Sequence, residues 1–194
     1  MGLKLTKIVT GTIFILCMST PLAAYADATY AFSCPESSIK GAIPYSVIGM
    51  YRSIFRECSG KIVYDGLRRQ VKSVEISITT ASIKSGCKWC DNIVRSKRVL
   101  DAAAYPVITF KSENFENKEN GPWASGIFDL HGVAKNLRFR FDLEEQNDHT
   151  LFIKGIWKIN RKKFNIIWNK FLDHGGILVG DYFTVDWQVK ARKI

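Results

Sequence analysis

Leu137-Arg138-Phe139-Arg140-Phe141-Asp142-Leu143 alternates apolar and charged residues without an error. Strict period two suits a strand that is buried on one face and wet on the other, and no helix reproduces it. The same period returns along the chain. Phe183, Val185, Trp187 and Val189 oppose Tyr182, Thr184, Asp186 and Gln188; Val74, Ile76 and Ile78 form another stripe, and Phe128 with Leu130 a fourth. Further strand candidates are Tyr30–Cys34, Ile39–Tyr45, Gly60–Asp65, Val107–Ser112 and Leu151–Ile159, which makes about nine in all. Loops are expected at Asn147-Asp148-His149 and at Glu116–Pro122. The exception is Asp91–Ala104, where Ile93, Val94, Leu100 and Ala103-Ala104 sit at helical spacing before Tyr105-Pro106 ends the run. The chain reads as all-β: one antiparallel sheet with one inserted helix, and no linker or repeat divides residues 27–194.

A sheet of that many strands must pack as a sandwich or close into a barrel to hide its apolar face and its edges. The stripes are rich in rings, with Phe110, Phe128, Phe139, Phe141, Trp157, Phe183 and Trp187 beside Leu130 and Val185. An eight-stranded barrel either fills its interior with such side chains or holds one small ligand. Periodicity leaves both readings open.

The first 26 residues are expected to be a secretory leader. Lys4 and Lys7 flank a start with no acidic residue before Asp27, an apolar run spans Ile8 to Leu16, and Ala24-Tyr25-Ala26 follows Pro21. A charged start, a short apolar core and an A-x-A site place cleavage after Ala26 and the mature chain in the periplasm. The apolar run is too short for a membrane anchor. The net charge of +10 falls to +8 once the two leader lysines are removed. An exported basic protein meets lipid head groups, so transient contact with a membrane surface is expected. The basic residues are scattered and no aromatic-basic motif accompanies them, which argues against nucleic acid.

Four segments in register resemble the YceI-like family. They are Tyr105-Pro106-Val107-Ile108-Thr109-Phe110-Lys111-Ser112, the hairpin Gly126 to Lys135 with Leu130-His131-Gly132-Val133, Ile159-Asn160-Arg161-Lys162-Lys163-Phe164, and Val179-Gly180-Asp181. Asp91-Asn92, Arg95-Ser96 and Asp101 match the family's helix, and the resemblance runs from Tyr30 to the C-terminus. It implies an extended antiparallel lipocalin-like β-barrel of about eight strands, often a homodimer, whose apolar tunnel takes a polyisoprenoid, a fatty acid or its amide. The stripe of Phe110, Phe128, Leu130, Phe139, Phe141, Trp157, Phe183, Val185 and Trp187 would then line the tunnel. Arg95 and Arg161 are candidates for an anionic head group, on charge and motif position. Departures from the pattern matter here. Cys34-Pro35-Glu36-Ser37-Ser38 stands where the family has Asp-Pro-x-His-Ser, Cys90 and Ile93 flank Asp91-Asn92 in place of Arg and His, and Ala134 replaces Thr. Two histidines usual near the tunnel mouth are therefore missing.

Four cysteines follow the leader, and in an oxidising compartment they are expected as disulfides. Of three pairings, Cys34–Cys58 with Cys87–Cys90 is chosen because local pairing strands neither cysteine. Cys87-Lys88-Trp89-Cys90 at a helix start also fits a thiol-redox pair, and four cysteines fit zinc by count. Covalent haem is excluded because Asp91 stands where C-x-x-C-H needs histidine. No hydrolase, zinc-protease, dinucleotide or P-loop motif occurs, and His131, His149 and His174 are far apart. No cofactor and no metal are therefore expected. The favoured reading is a non-enzymatic lipid binder or carrier; the alternative is a periplasmic thiol-redox protein that uses Cys87 and Cys90.

Overall fold

The alternating stripes are strands in the computed structural model, which describes residues 27–45, 49–168 and 179–194. The first part of the chain forms β1 (Ala28–Ser33), β2 (Ser38–Tyr45), β3 (Gly49–Phe55), β4 (Cys58–Asp65), β5 (Gln70–Thr79) and β6 (Ile83–Lys84). A helix, α1 (Lys88–Arg95), is followed by β7 (Val107–Lys118), β8 (Gly121–Leu130), β9 (Val133–Arg140), β10 (Asp142–Asn147), β11 (Thr150–Asn160) and β12 (Tyr182–Lys193). All pairings among them are antiparallel.

The twelve segments are eight lengths of chain. β1 and β2 lie end to end along one edge of β12, opposite Arg192–Lys193 and Thr184–Gln188. β4 continues β3, pairing β1 as β3 pairs β2. β6 continues β5 after a short 3-10 turn, Thr80–Ser82. β9 pairs β8, and the same chain then passes through Phe141 to become β10 on β11. The circuit β1–β2, β3–β4, β5–β6, β7, β8, β9–β10, β11, β12 returns to β1–β2. Among the described residues no ladder joins β9 to β11, and the covalent chain at Phe141 completes the ring. A ring leaves few sheet edges for another chain to extend.

Two cysteines staple adjacent kinks in this ring. Cys34 lies just beyond β1 and Cys58 opens β4; their disulfide spans 4.9 Å between Cα atoms, and the Cys34 amide donates to the Cys58 carbonyl at 3.0 Å. Cys87 pairs with Cys90, so the connectivity expected from the sequence is the one present.

Three sequence readings are corrected. The helix covers Lys88–Arg95 and not Asp91–Ala104. The Cys87 sulfur accepts the Cys90 amide and starts it early, while Ser96, extended and taking bonds from its own amide to Asn92 and Ile93, stops it. Glu116–Pro122 is mostly strand, with a turn only between β7 and β8. The strands β3 and β6 and the break at Phe141 were not expected. His174 and the leader lie outside the described residues.

Candidate functional site

The inward stripe of the ring surrounds a cavity of about 510 Å³. All nine residues expected in a tunnel wall lie along it: Phe110, Phe128, Leu130, Phe139, Phe141, Trp157, Phe183, Val185 and Trp187. Five of these rings also touch one another. Phe139 stands 4.2 Å from Trp157, 5.3 Å from Phe110 and 5.9 Å from Trp187, and Phe128 stands 5.3 Å from Trp157. The Phe139–Trp157 pair is tilted and the others meet edge to face, contacts that fix ring orientation as well as burying area. Gly155 makes room for them, since a Cβ there would come within 2.6 Å of Trp187. The opposite wall, on β4 and β5, is aliphatic: Ile62, Val71, Val74, Ile76 and Ile78.

One end of the barrel is plugged. Tyr30 and Tyr64 meet edge to face at 6.2 Å and are almost fully buried with Leu151 and Ala191. The Tyr64 hydroxyl donates to Glu145, and the Tyr30 hydroxyl donates to the Asp148 carbonyl at 3.3 Å. Burial and the Glu145 carboxylate both hold these phenols above the ordinary tyrosine range, so they remain donors.

The other end carries α1, whose Trp89, Ile93 and Val94 border the cavity beside Tyr45 and Met50 of the β2–β3 hairpin. Trp89, Tyr45 and Met50 are exposed. Asp91 fastens the helix to this rim although it is only 5% exposed. Its carboxylate accepts the Tyr51 hydroxyl at 3.0 Å, the Ser85 amide at 3.0 Å and the Ser85 hydroxyl at 2.5 Å. Burial alone would raise its pKa, but those bonds and Arg95 outweigh it and hold the carboxyl below the ordinary aspartate value. Tyr51 is pushed up to about 12, first by burial and then by the carboxylate it faces.

Of the two expected head-group cations only Arg161 borders the cavity, and both have their guanidinium groups engaged within the protein. Arg161 is 2% exposed, and its guanidinium donates to the carbonyls of Gly180 at 2.8 Å, Ile166 at 2.6 Å, Trp168 at 2.9 Å and Val179 at 3.1 Å. It clamps the chain after β11 to the chain before β12. Arg95 does not border the cavity; it donates to the Ile83 carbonyl and lies 3.9 Å from Asp91. Besides Arg161, the cation that borders the cavity is Arg52 on β3, exposed and without an ion pair among the described residues. It escaped sequence reading because its strand did. The two departures at histidine positions also separate here. Ile93 is in the cavity wall, whereas the Ser37 hydroxyl sits at the β1–β2 kink and accepts the Lys190 amide at 3.1 Å.

Cys87 and Cys90 both border the open end. Of the histidines, His131 is structural: its Nδ1 lies 3.1 Å from the Phe164 carbonyl and its ring packs on Tyr105 at 4.6 Å. His131 and Gly132 both take positive φ, 57° and 69°, as the tight turn between β8 and β9 requires.

An antiparallel ring of eight strand lengths around an apolar cavity, plugged at one end and bordered by a helix at the other, is a lipocalin-like barrel. A family model described as the YceI-like domain matches residues 30–191, and the chain belongs to that family. A UPF0312 protein of Vibrio cholerae is 30% identical over 122 residues, 62% of this chain and 65% of that one. Another from Shewanella denitrificans is 34% identical over 87 residues, 44% of this chain and 46% of the relative. The aligned parts thus span less than two thirds of these relatives. Among solved structures, BcnA of Burkholderia cenocepacia aligns with a TM-score of 0.71 at 22% identity, covering 82% of this chain and 98% of its own. A polyisoprenoid binding domain from Saccharophagus degradans aligns at 0.66 and 12% identity, covering 87% and 100%. At these identities the likeness establishes the fold.

Proposed function

We propose that this chain is a non-enzymatic binder or carrier of a long-chain apolar lipid, an isoprenoid or a fatty acid or its amide, held in the barrel cavity. The observation that carries the reading is the apolar cavity itself, plugged by Tyr30 and Tyr64 and open beside α1. At about 30 Å³ for each water-sized group, 510 Å³ holds on the order of seventeen carbons of a chain. Each methylene withdrawn from water contributes about 0.8 kcal/mol, so the tail supplies the affinity with few polar contacts. The Saccharophagus neighbour, described as polyisoprenoid binding, supports a lipid of this class. Residues 1–26 act in this reading as a leader removed after Ala26, and the mature protein works in the periplasm, loading at the membrane surface through its exposed apolar rim. Mass spectrometry of an organic extract of protein purified from that compartment tests the assignment. A long-chain lipid absent from a mock extract is expected; folded protein that yields none, and takes up none from vesicles, would refute it.

A second reading has one observation in its favour, the Cys87–Cys90 disulfide at the start of α1, where helix amides lower a thiol pKa. Turnover of a model disulfide that disappears in Cys87→Ser/Cys90→Ser would establish it.

A further inference from the structure

The barrel wall has a seam. β5 and β7 pair only from Glu75↔Lys111 to Thr79↔Val107, and β7 then runs on to Lys118 without a β5 partner. Where they part, the Val74 amide donates to the Ser112 hydroxyl at 2.8 Å, so a side chain stands where a ladder bond would be. Each strand carries a bulge at this level. Tyr64 pairs Val71 and Val63 pairs Ser73, which leaves Lys72 as the extra residue; Ser112 and Asn114 pair Gly126 and Ser125, which leaves Glu113. A bulge bends its strand and reverses the side-chain phase beyond it. Val71 and Phe115 are thereby turned inward, although each is out of step with the stripe on its own strand.

Behind the seam lies a second cavity of about 210 Å³, rimmed by Arg69, Gln70 and Asn117. It shares three wall residues with the main cavity: Val71, Phe115 and Phe141. Phe115 and Phe141 meet edge to face with centroids 6.1 Å apart. Phe141 is itself the residue at which the chain passes from β9 to β10. The partition is therefore made of side chains, placed where three strands are locally irregular.

We propose that Val71, Phe115 and Phe141 form a gate that sets the longest chain the barrel holds, with the β5–β7 seam as the distal subsite behind it. The inference rests on the lipid-binding reading and adds the residues that set chain length. The main cavity accepts on the order of seventeen carbons, and opening the gate adds on the order of seven more, at about 30 Å³ each. Up to the gate each added methylene strengthens binding about fourfold; beyond it the gain stops.

The test is native mass spectrometry of the full chain with an equimolar ladder of straight-chain fatty acids delivered from cyclodextrin. Wild type is expected to show a cut-off near seventeen carbons. Phe115→Ala, at a half-buried position, should move it upward by on the order of seven, and Phe115→Trp should leave it unchanged or lower it. Melting curves confirm that both variants are folded. A cut-off that stays put in Phe115→Ala, or a wild type with none, overturns the gate while leaving lipid binding intact. A folded wild type that binds no member of the ladder overturns both.

Discussion

The two disulfides close loops of very different length, and this separates their contributions to stability. Cys34 and Cys58 are 24 residues apart, Cys87 and Cys90 only three. Loop-closure entropy of the unfolded chain gives about 3.5 kcal/mol for the long loop and about 2 kcal/mol for the short one. Their difference, roughly 1.6 kcal/mol, is firmer than either value because it depends only on the ratio of loop lengths. Burial widens the gap: Cys34 and Cys58 are in the core, whereas Cys87 is exposed. Cys34→Ala/Cys58→Ala and Cys87→Ala/Cys90→Ala are the perturbations, alanine being chosen so that no hydroxyl is buried. The matched family region spans residues 30–191. At about 2.1 cal/mol/K per residue, the first pair should lower Tm by about 10 °C and the second by about 5–6 °C. Calorimetry and urea unfolding of both double variants give the numbers. Equal losses, or a larger loss from the short loop, would refute the entropic reasoning. In that case α1 and its bridge hold the barrel together at least as firmly as the stapled kinks do.

Three further outcomes are expected. Asp91→Asn should destabilise by about 1–2 kcal/mol at neutral pH, because buried bonds to a charged acceptor are lost. The folded pKa of Asp91 is lowered, so its contribution is present above the unfolded value of about 3.9 and fades as pH falls through the folded one; urea unfolding from pH 2 to 7 should show wild type and variant converging in acid. Arg161→Ala should cost about 3 kcal/mol or more by orphaning four carbonyls, with lipid affinity of the folded protein little changed; a stable variant with much weaker affinity for acidic lipids would restore Arg161 to a head-group role. Val74→Phe fills space in a hollow barrel, so it should lower lipid affinity at least tenfold with a stability change within about 1 kcal/mol; a loss of about 1–3 kcal/mol, measured by urea unfolding, would mean an already packed interior.

Strands whose inward phase never changes were legible from alternation: β11, β12 and the stripe from Leu137 to Leu143 show it. What was lost follows from breaks in phase. The bulge at Glu113 turns the inward series from Ile108 and Phe110 to Phe115, so β7 reads as ending at Ser112 and a loop as running from Glu116 to Pro122. The strand β3 hid for another reason: Met50, Ile54 and Phe55 mix apolar residues across both faces of a strand bordering the open end. The cavity-wall residues were legible because rings on an inward stripe are conspicuous. The placement of Arg95 and Arg161 was not, because charge says nothing about partners. Arg161 looks like any surface arginine until four carbonyls are seen around it.

Whether such a stripe fills a barrel or lines it depends on what faces it. The ring contacts gather on one wall, among Phe110, Phe128, Phe139, Trp157 and Trp187 on β7, β8, β9, β11 and β12. The facing strands β4 and β5 contribute only branched aliphatic residues, whose side chains reach less far than a ring. The aromatic wall satisfies its own contacts, and the aliphatic wall does not span the gap to it. Trp157, Phe183, Val185 and Trp187 are consequently only half-buried although they sit on the inward face. A filled core would bury them completely. Partial exposure on an inward stripe is one sign of a wall, although Phe110, Phe128, Leu130, Phe139 and Phe141 border the same cavity from buried positions. It separates these residues from Leu151 and Ala191, which continue the same stripes into the plug and are wholly buried.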